Sequence, residues 1–313
     1  MRDIPEDQRV VSVTGLRKSF GNAQAVRGID FCVRRGELFS FLGPNGAGKS
    51  TTINMLCTLL RPDEGKITVD GIDVVSKPDA VKERIGIVFQ ESLLDNVLTV
   101  KENLRVRASF YLKGRATKEV VERAAEAADV TDFIDRPYGR LSGGQRRRAD
   151  IARALINTPR VLFMDEPTTG LDPQTRRHVW ATIKRLQDEH GVTIFLTTHY
   201  MEEAAGSDYA VVVDDGLVAA EGTPTQLKEK YSVELLRIAP KDPDAFAQLV
   251  NQMPHETDGK VVKDGRQFTF ELARTIDAIP LLERFQPHVE SFEVVHGTMD
   301  DVFINITGKE LRS

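Results

Sequence analysis

The stretch GPNGAGKS, residues 43–50, constrains this chain more than any other feature. It fits the spacing G-x-x-x-x-G-K-[S/T], and it lies directly after the apolar run ELFSFL and before a segment of helical character. Gly43, Gly46 and Gly48 let the backbone wrap an anion with its amides turned inward, and the following helix adds its N-terminal dipole. Lys49 supplies a point charge for β- and γ-phosphates, and Ser50 a hydroxyl for Mg2+. The spacing therefore predicts a strand–loop–helix unit that binds a nucleoside triphosphate. Its candidate nucleotide-binding residues are Gly43, Pro44, Asn45, Gly46, Ala47, Gly48, Lys49, Ser50 and Thr51. The helix is expected at 49–60, with Ile53, Leu56 and Leu60 packed on a sheet.

ELFSFLG (37–43) is one of four continuous apolar runs, with RIGIVF (84–89), RVLFMD (160–165) and VTIFLTT (192–198). Runs of this kind bounded by helices predict strands buried on both faces of a parallel sheet. Each ends in the phosphate loop or in a polar residue: Gln90, the pair Asp165-Glu166, and His199. Ligands of open α/β sheets bind beyond the carboxyl ends of the strands, so these residues form the candidate catalytic set with Lys49. Asp165 is suited to hold Mg2+ with Ser50, and Glu166 to polarise an attacking water as general base. His199 could donate to a γ-phosphate oxygen, and Gln90 could touch both metal and water.

Elsewhere the pattern differs. VVSVTGLRKSF, AVRGIDFCV and KITVDGIDV, separated or closed by turns such as Gly21-Asn22 and Asp70-Gly71, predict antiparallel hairpins. Residues 100–140 have helical spacing and form an insertion, with a helical subdomain at about 92–158; another amphipathic helix is expected at 174–188. From about residue 231 to 313, VELLRIA, DAFAQLVNQM, KVVKD, RQFTFEL, TIDAIPLLERF and VESFEVV read as β-α-β-β-α-β. A last helix, MDDVFINITGKEL, follows. The predicted class is thus α/β with a small C-terminal α+β domain. A net charge of −5 gives no global pull toward nucleic acid or anionic lipid. Cys32 and Cys57 lack metal or disulfide spacing and read as buried apolar residues. The N-terminus has no signal-peptide core, and no run is long enough to span a bilayer.

LSGGQ, residues 141–145, is a second glycine-rich turn at a helix start and hence a second candidate anion site. GPNGAGKST, Gln90, LSGGQ, VLFMDEP, the GLD of 170–172 and His199 occur in the order found in ATP-binding cassette (ABC) transporter ATPases, which residues 10 to about 228 resemble. The resemblance implies a P-loop NTPase cassette in residues 1–230: a mixed sheet core, an antiparallel β subdomain and a helical insertion. It implies that RKSF (17–20) supplies the adenine platform through Phe20, where the family commonly has Tyr. It also implies that Leu141, Ser142, Gly143, Gly144 and Gln145 face the γ-phosphate held by another subunit, and that Asp172 couples the two sites. The active species would be a head-to-tail homodimer, or a pair with a closely related ATPase.

THYMEEA (198–204) and GTMDDVFINITG (297–308) resemble the daunorubicin-resistance branch of exporter ATPases, which also serves lipid and polysaccharide export. Tyr209 stands where relatives often carry Arg. The expected role is to power a separate multi-span permease from the cytoplasmic face of the membrane, without nucleic acid. The alternative is a soluble cassette ATPase acting on ribosomes or DNA. Such proteins usually carry two cassettes or a long coiled-coil insertion, and this sequence has one cassette and no such insertion. A non-hydrolysing regulator is disfavoured by the presence of Lys49, Glu166 and His199.

Overall fold

The structure is a computed structural model that describes residues 2–112, 114–252 and 261–308. Lys113, Met253, Lys260 and residues 309–311 of the predicted segments lie outside the described residues. The chain divides into two compact units, residues 1–223 and 224–313.

The first unit runs β1 (Arg9–Phe20), β2 (Ala23–Arg34), β3 (Leu38–Leu42), α1 (Lys49–Leu56), β4 (Glu64–Val69), β5 (Ile72–Asp73), α2 (Pro78–Lys82) and β6 (Ile85–Val88). The helical insertion follows as α3 (Val100–Ser109), α4 (Arg115–Ala127) and α5 (Gly143–Leu155). The chain then returns through β7 (Val161–Asp165), α6 (Pro173–His190), β8 (Thr193–Thr198), α7 (Met201–Ala205), β9 (Tyr209–Asp214) and β10 (Leu217–Gly222).

Two sheets result. One is antiparallel, in the order β2-β1-β4-β5; the other has the order β10-β9-β3-β8-β7-β6. In the second sheet β9, β3, β8, β7 and β6 are parallel and β10 is antiparallel to β9. The four apolar runs are its central and far strands. SDYAVVVDD, singled out in the sequence only for Tyr209, supplies a fifth parallel strand.

Alternation along the buried strands assigns their two faces. Phe39, Phe41, Val161, Phe163 and Phe195 join the core shared with the antiparallel sheet and α1. Leu38, Leu162, Met164, Ile194 and Leu196 face the other core, which includes α3, α5 and α6. Because both faces are covered, the polar alternation of a half-exposed strand is absent and the sequence reads as a continuous apolar run. Phe195 is central to the first core, with ring centroids 5.2 Å from Phe39, 5.6 Å from Phe41 and 5.5 Å from Phe163. Each such ring contributes roughly 1.5–3 kcal/mol by burial.

One helix prediction needs correction. α1 stops at Leu56 rather than at 60. Thr58 takes the left-handed conformation (φ +64), and the Thr58 and Leu59 amides turn back to donate to the carbonyls of Met55 and Asn54. That is a Schellman closure with threonine at the place glycine usually takes, so composition gave no stop signal. The two helical segments read in residues 100–140, KENLRVRASFYLK and TKEVVERAAEAADV, correspond to α3, which starts on a Thr99–Glu102 capping box, and α4, which gives way at Asp129, again left-handed (φ +57). Among the described residues, no helix is long and apolar enough to cross a membrane.

The second unit opens with α8 (Pro224–Tyr231), then β11 (Glu234–Pro240), α9 (Pro243–Asn251), β12 (Val261–Asp264), β13 (Gln267–Leu272), α10 (Ala278–Phe285), β14 (Val289–Val295) and α11 (Met299–Thr307). From β11 to β14 this is the expected β-α-β-β-α-β order, closed as an antiparallel sheet β12-β13-β11-β14 over Leu236, Ile238, Phe246, Phe270 and Phe285. α8 packs on α11 and belongs to this unit, so the division falls at Pro224, ahead of the compositional change near 231.

Candidate nucleotide-hydrolysis site

The phosphate loop joins β3 to α1. Gly48 is required twice over: its φ is +97, and a Cβ there would lie 2.3 Å from the carbonyl oxygen of Ala25. Lys49, only 4% exposed, donates from Nζ to the carbonyls of Gly43 (2.8 Å) and Pro44 (3.1 Å). Its Nζ also lies 3.6 Å from Glu166 Oε1. Burial pulls its pKa down, and the charges of Glu166 and Asp165 oppose the shift. Ser50 Oγ faces Asp165 Oδ1 at 3.4 Å.

The strand ends meet the loop. β7 ends at Asp165, and Thr197 of β8 donates its hydroxyl to Asp165 Oδ1 at 2.5 Å. Glu166 follows in the left-handed region (φ +46), a conformation that costs a β-carbon residue about 1–3 kcal/mol. Its amide is held by the Thr197 carbonyl and hydroxyl, and its Oε2 accepts from Thr169 Oγ1 at 3.0 Å. His199 stands directly after β8. Its Nδ1 is 3.3 Å from Glu166 Oε2 but out of line for a hydrogen bond, so this buried nitrogen lacks a hydrogen-bond partner among the described residues.

Lys49, Ser50, Glu166, Thr169 and His199 border one cavity of about 670 Å³, with Asp165 and Thr197 set behind its lining. Asn45, Gly46, Gly48, Lys49, Ser50 and Thr51 line it from the loop; Gln90, Glu166 and His199 line it from the strand ends. Phe20 and Ala25 line it from the antiparallel sheet, and Phe20 is half exposed, with a ring face available for a planar base. Gly43, Pro44 and Ala47 belong to the loop but do not line the cavity.

Leu141 to Gln145 do not line it either. Ser142 is the N-cap of α5 and forms a capping box with Gln145: Gln145 N donates to Ser142 Oγ, and Ser142 N donates to Gln145 Oε1. Ser142 and Gly143 are exposed, whereas Leu141 and Gly144 are buried. A Cβ on Gly144 would lie 2.3 Å from Thr175 Cγ2, so the turn is small partly because α6 crosses it closely. Asp172 caps α6 through the amides of Gln174 and Thr175, and hydrogen bonding led by Thr175 holds its carboxyl below the usual range.

A family model described as ABC transporter matches residues 26–169. The chain is 40% identical over 310 residues to the daunorubicin/doxorubicin resistance ATP-binding protein of Streptomyces peucetius, covering 96% of this chain and 93% of that one. The chain belongs to the ATP-binding cassette transporter family. This cassette is likewise 38% identical to the Nod factor export ATP-binding protein I of Rhizobium sp. (strain N33), over 96% of its own length and 98% of the relative's. Among solved structures it resembles a dimeric ATP-binding cassette in a post-hydrolysis state bound to ADP and Pi (TM-score 0.61, 30% identity, 68% of this chain and 98% of that one). It also resembles cbiO1 of Clostridium perfringens, part of an ABC transporter complex (TM-score 0.66, 29% identity, 70% and 90%). The cassette is an ATPase.

Sequence reasoning missed three contributors. Thr197 and Thr169 hold the two carboxylates, and Arg147 reaches the carbonyls of Phe89 (2.6 Å), Gln90 (3.3 Å) and Glu166 (3.4 Å). The run Arg146 to Arg148 reads in sequence as support for the signature helix rather than as a nucleic-acid contact, but nothing there singles out Arg147, which is 8% exposed.

Proposed function

We propose that this chain is the ATP-hydrolysing subunit of an export-type transporter, working as a head-to-tail pair beneath a separate membrane permease. The observation that carries the reading is the separation of two anion-binding elements. Phe20, Lys49, Gln90, Glu166 and His199 border one cavity, while the exposed N-terminus of α5 stays away from it. A second copy can complete each cavity with its own Ser142 to Gln145, so that nucleotide is enclosed only between two chains.

Within the cavity, Lys49 binds β- and γ-phosphate oxygens and Phe20 stacks on adenine. Glu166 takes a proton from water as the water oxygen attacks the γ-phosphorus; the bond to the bridging oxygen breaks, and ADP and phosphate leave. His199 donates to a γ-phosphate oxygen. Ser50, Asp165 and Gln90 offer a hard oxygen set that fits Mg2+, an ion usually held by one or two protein groups with water and phosphate completing the shell. No group of three or more His, Cys, Asp or Glu side chains among the described residues could cage a metal unaided. When bound, the ion neutralises charge between the β- and γ-phosphates.

Leu93 (64% exposed), Val97 (83%) and Phe110 (75%) stand on the Gln90 loop and α3 and suit a short amphipathic helix of the permease. A ribosome- or DNA-directed reading finds little in the arginine run: Arg146 is bonded to the Gly139 carbonyl and Arg148 to Asp129. The relatives are named for daunorubicin and doxorubicin resistance and for Nod factor export; a cargo of drug, lipid or polysaccharide class fits this reading and would be selected by the permease.

The test is Glu166→Gln, followed by size-exclusion chromatography with ATP and by turnover. Retained binding, lost hydrolysis and a shift to dimer are expected. Normal turnover, or a monomer at saturating ATP, would remove the reading.

A further inference from the structure

We propose that Arg147 is a positioning residue that ties the N-terminal turn of α5 to Gln90 and Glu166 of the same chain. This rests on Gln90 and Glu166 acting as proposed above.

α5 lies alongside β6 and carries two arginines that donate to backbone on that side of the sheet, Arg147 buried and Arg153 half-buried. Arg153 donates to the Ile87 carbonyl, within the strand, at 2.7 Å. Arg147 lies nearly two turns closer to the signature turn. It bridges two segments, accepting no ambiguity about which: Phe89 and Gln90 beyond β6, and Glu166 beyond β7. A planar guanidinium can satisfy several carbonyls at fixed relative positions, which an ammonium cannot. One helical turn on, Asp150 is also buried and accepts from Ser92 Oγ (2.5 Å) and the Tyr138 hydroxyl (3.3 Å). The Gln90 loop is therefore gripped on both sides by one face of α5, at Gln90 through Arg147 and at Ser92 through Asp150.

The consequence is directional. Ser142 and Gln145, at the start of the same helix, are the groups proposed to meet the partner's phosphate. Any movement of α5 toward that phosphate is carried by a buried side chain to the backbone of the metal-facing Gln90 and the base Glu166 in its own cavity. Signature docking on one nucleotide would thus adjust the carboxylate that activates the water attacking the other. Displacing a reacting group by about 1 Å can cost about 100-fold in rate.

The experiment compares Arg147→Met with Arg153→Met in the full chain, measuring kcat, KM, affinity for a fluorescent ATP analogue and melting temperature. Both remove an arginine of α5 that donates to backbone carbonyls, Arg153 within β6 and Arg147 beyond the ends of β6 and β7. A merely structural role predicts parallel losses in all four measurements. The expected result is a fall in kcat of about 100-fold for Arg147→Met alone, with analogue affinity within about twofold and melting close to that of Arg153→Met. Equal kcat in the two variants overturns the proposal. Should Arg147→Met not fold, Arg147→Lys, which keeps the charge but not the fork, decides: kcat is expected to remain low, and wild-type kcat overturns the link. Glu166→Gln, run alongside, separates the two readings, since turnover retained there removes the base assignment whatever Arg147 does.

Discussion

Gly144→Ala tests why the signature turn is built of glycine. The new Cβ would meet Thr175 Cγ2 at 2.3 Å, with Thr175 Cβ at 3.6 Å and Oγ1 at 3.9 Å, so nearly the whole conflict is with one methyl group. Gly144 has ordinary helical backbone, absent from the left-handed set, so alanine brings no φ strain. Overpacking of this kind costs about 1–3 kcal/mol. Replacing glycine in a helix by alanine returns up to about 1 kcal/mol. The net expectation is a loss of roughly 0–2 kcal/mol in the first unit. Thr175→Ser deletes the methyl and keeps the hydroxyl, so Gly144→Ala in that background should cost nothing and gain up to about 1 kcal/mol. Scanning calorimetry measures this on the transition that ATP raises, which identifies the nucleotide-binding unit. A double-mutant coupling below about 0.5 kcal/mol would refute the packing argument. ATPase activity adds a second decision. If the double variant regains stability but not turnover, the glycine also serves close approach to phosphate.

Other outcomes follow from the same geometry. Phe20→Ala should raise KM for ATP with little change in kcat, by the roughly 5- to 150-fold that about 1–3 kcal/mol of base stacking represents. Phe195→Ala should lower stability of the first unit by about 3–5 kcal/mol in denaturant titration, since the ring packs against four others in a fully buried layer. Because burial depresses the Lys49 pKa, ATP affinity should begin to fall at a pH below the ordinary lysine value of 10.5. Across that window the unfolded chain binds more protons than the folded one, so ATP-free stability should rise while affinity falls; titrating both checks the sign. Glu166→Gln removes a charge that opposes the shift and should move the affinity limb to lower pH. Val97→Glu with Phe110→Glu should leave ATPase activity of the isolated protein unchanged and abolish recovery in the membrane fraction of cells carrying the whole transporter.

Much of this was legible because the chemistry sits in contiguous words. Gly43 to Thr51, Asp165-Glu166 and His199 announce themselves by following apolar runs, and the parallel sheet follows from the same runs. What stayed hidden depends on through-space partners. Thr197 looks like one more β-branched strand residue, yet it holds both Asp165 and the Glu166 amide. Arg147 is indistinguishable in sequence from Arg146 and Arg148, and only burial separates it. α1 ends at a left-handed Thr58, where nothing in composition signals a stop. β9 as a core strand is not legible locally, because its parallel partner β3 lies 170 positions earlier, with Phe39 opposite Tyr209.

The capping box of Ser142 and Gln145 bears on how the proposed pair would form. The Ser142 hydroxyl oxygen accepts from the Gln145 amide and the Gln145 side-chain oxygen accepts from the Ser142 amide, so the hydroxyl hydrogen and the Gln145 NH2 group stand outside the box as donors. An incoming phosphate, which only accepts, can then be grasped without dismantling the helix cap. The turn would keep one shape before contact, during it and after the nucleotide is spent.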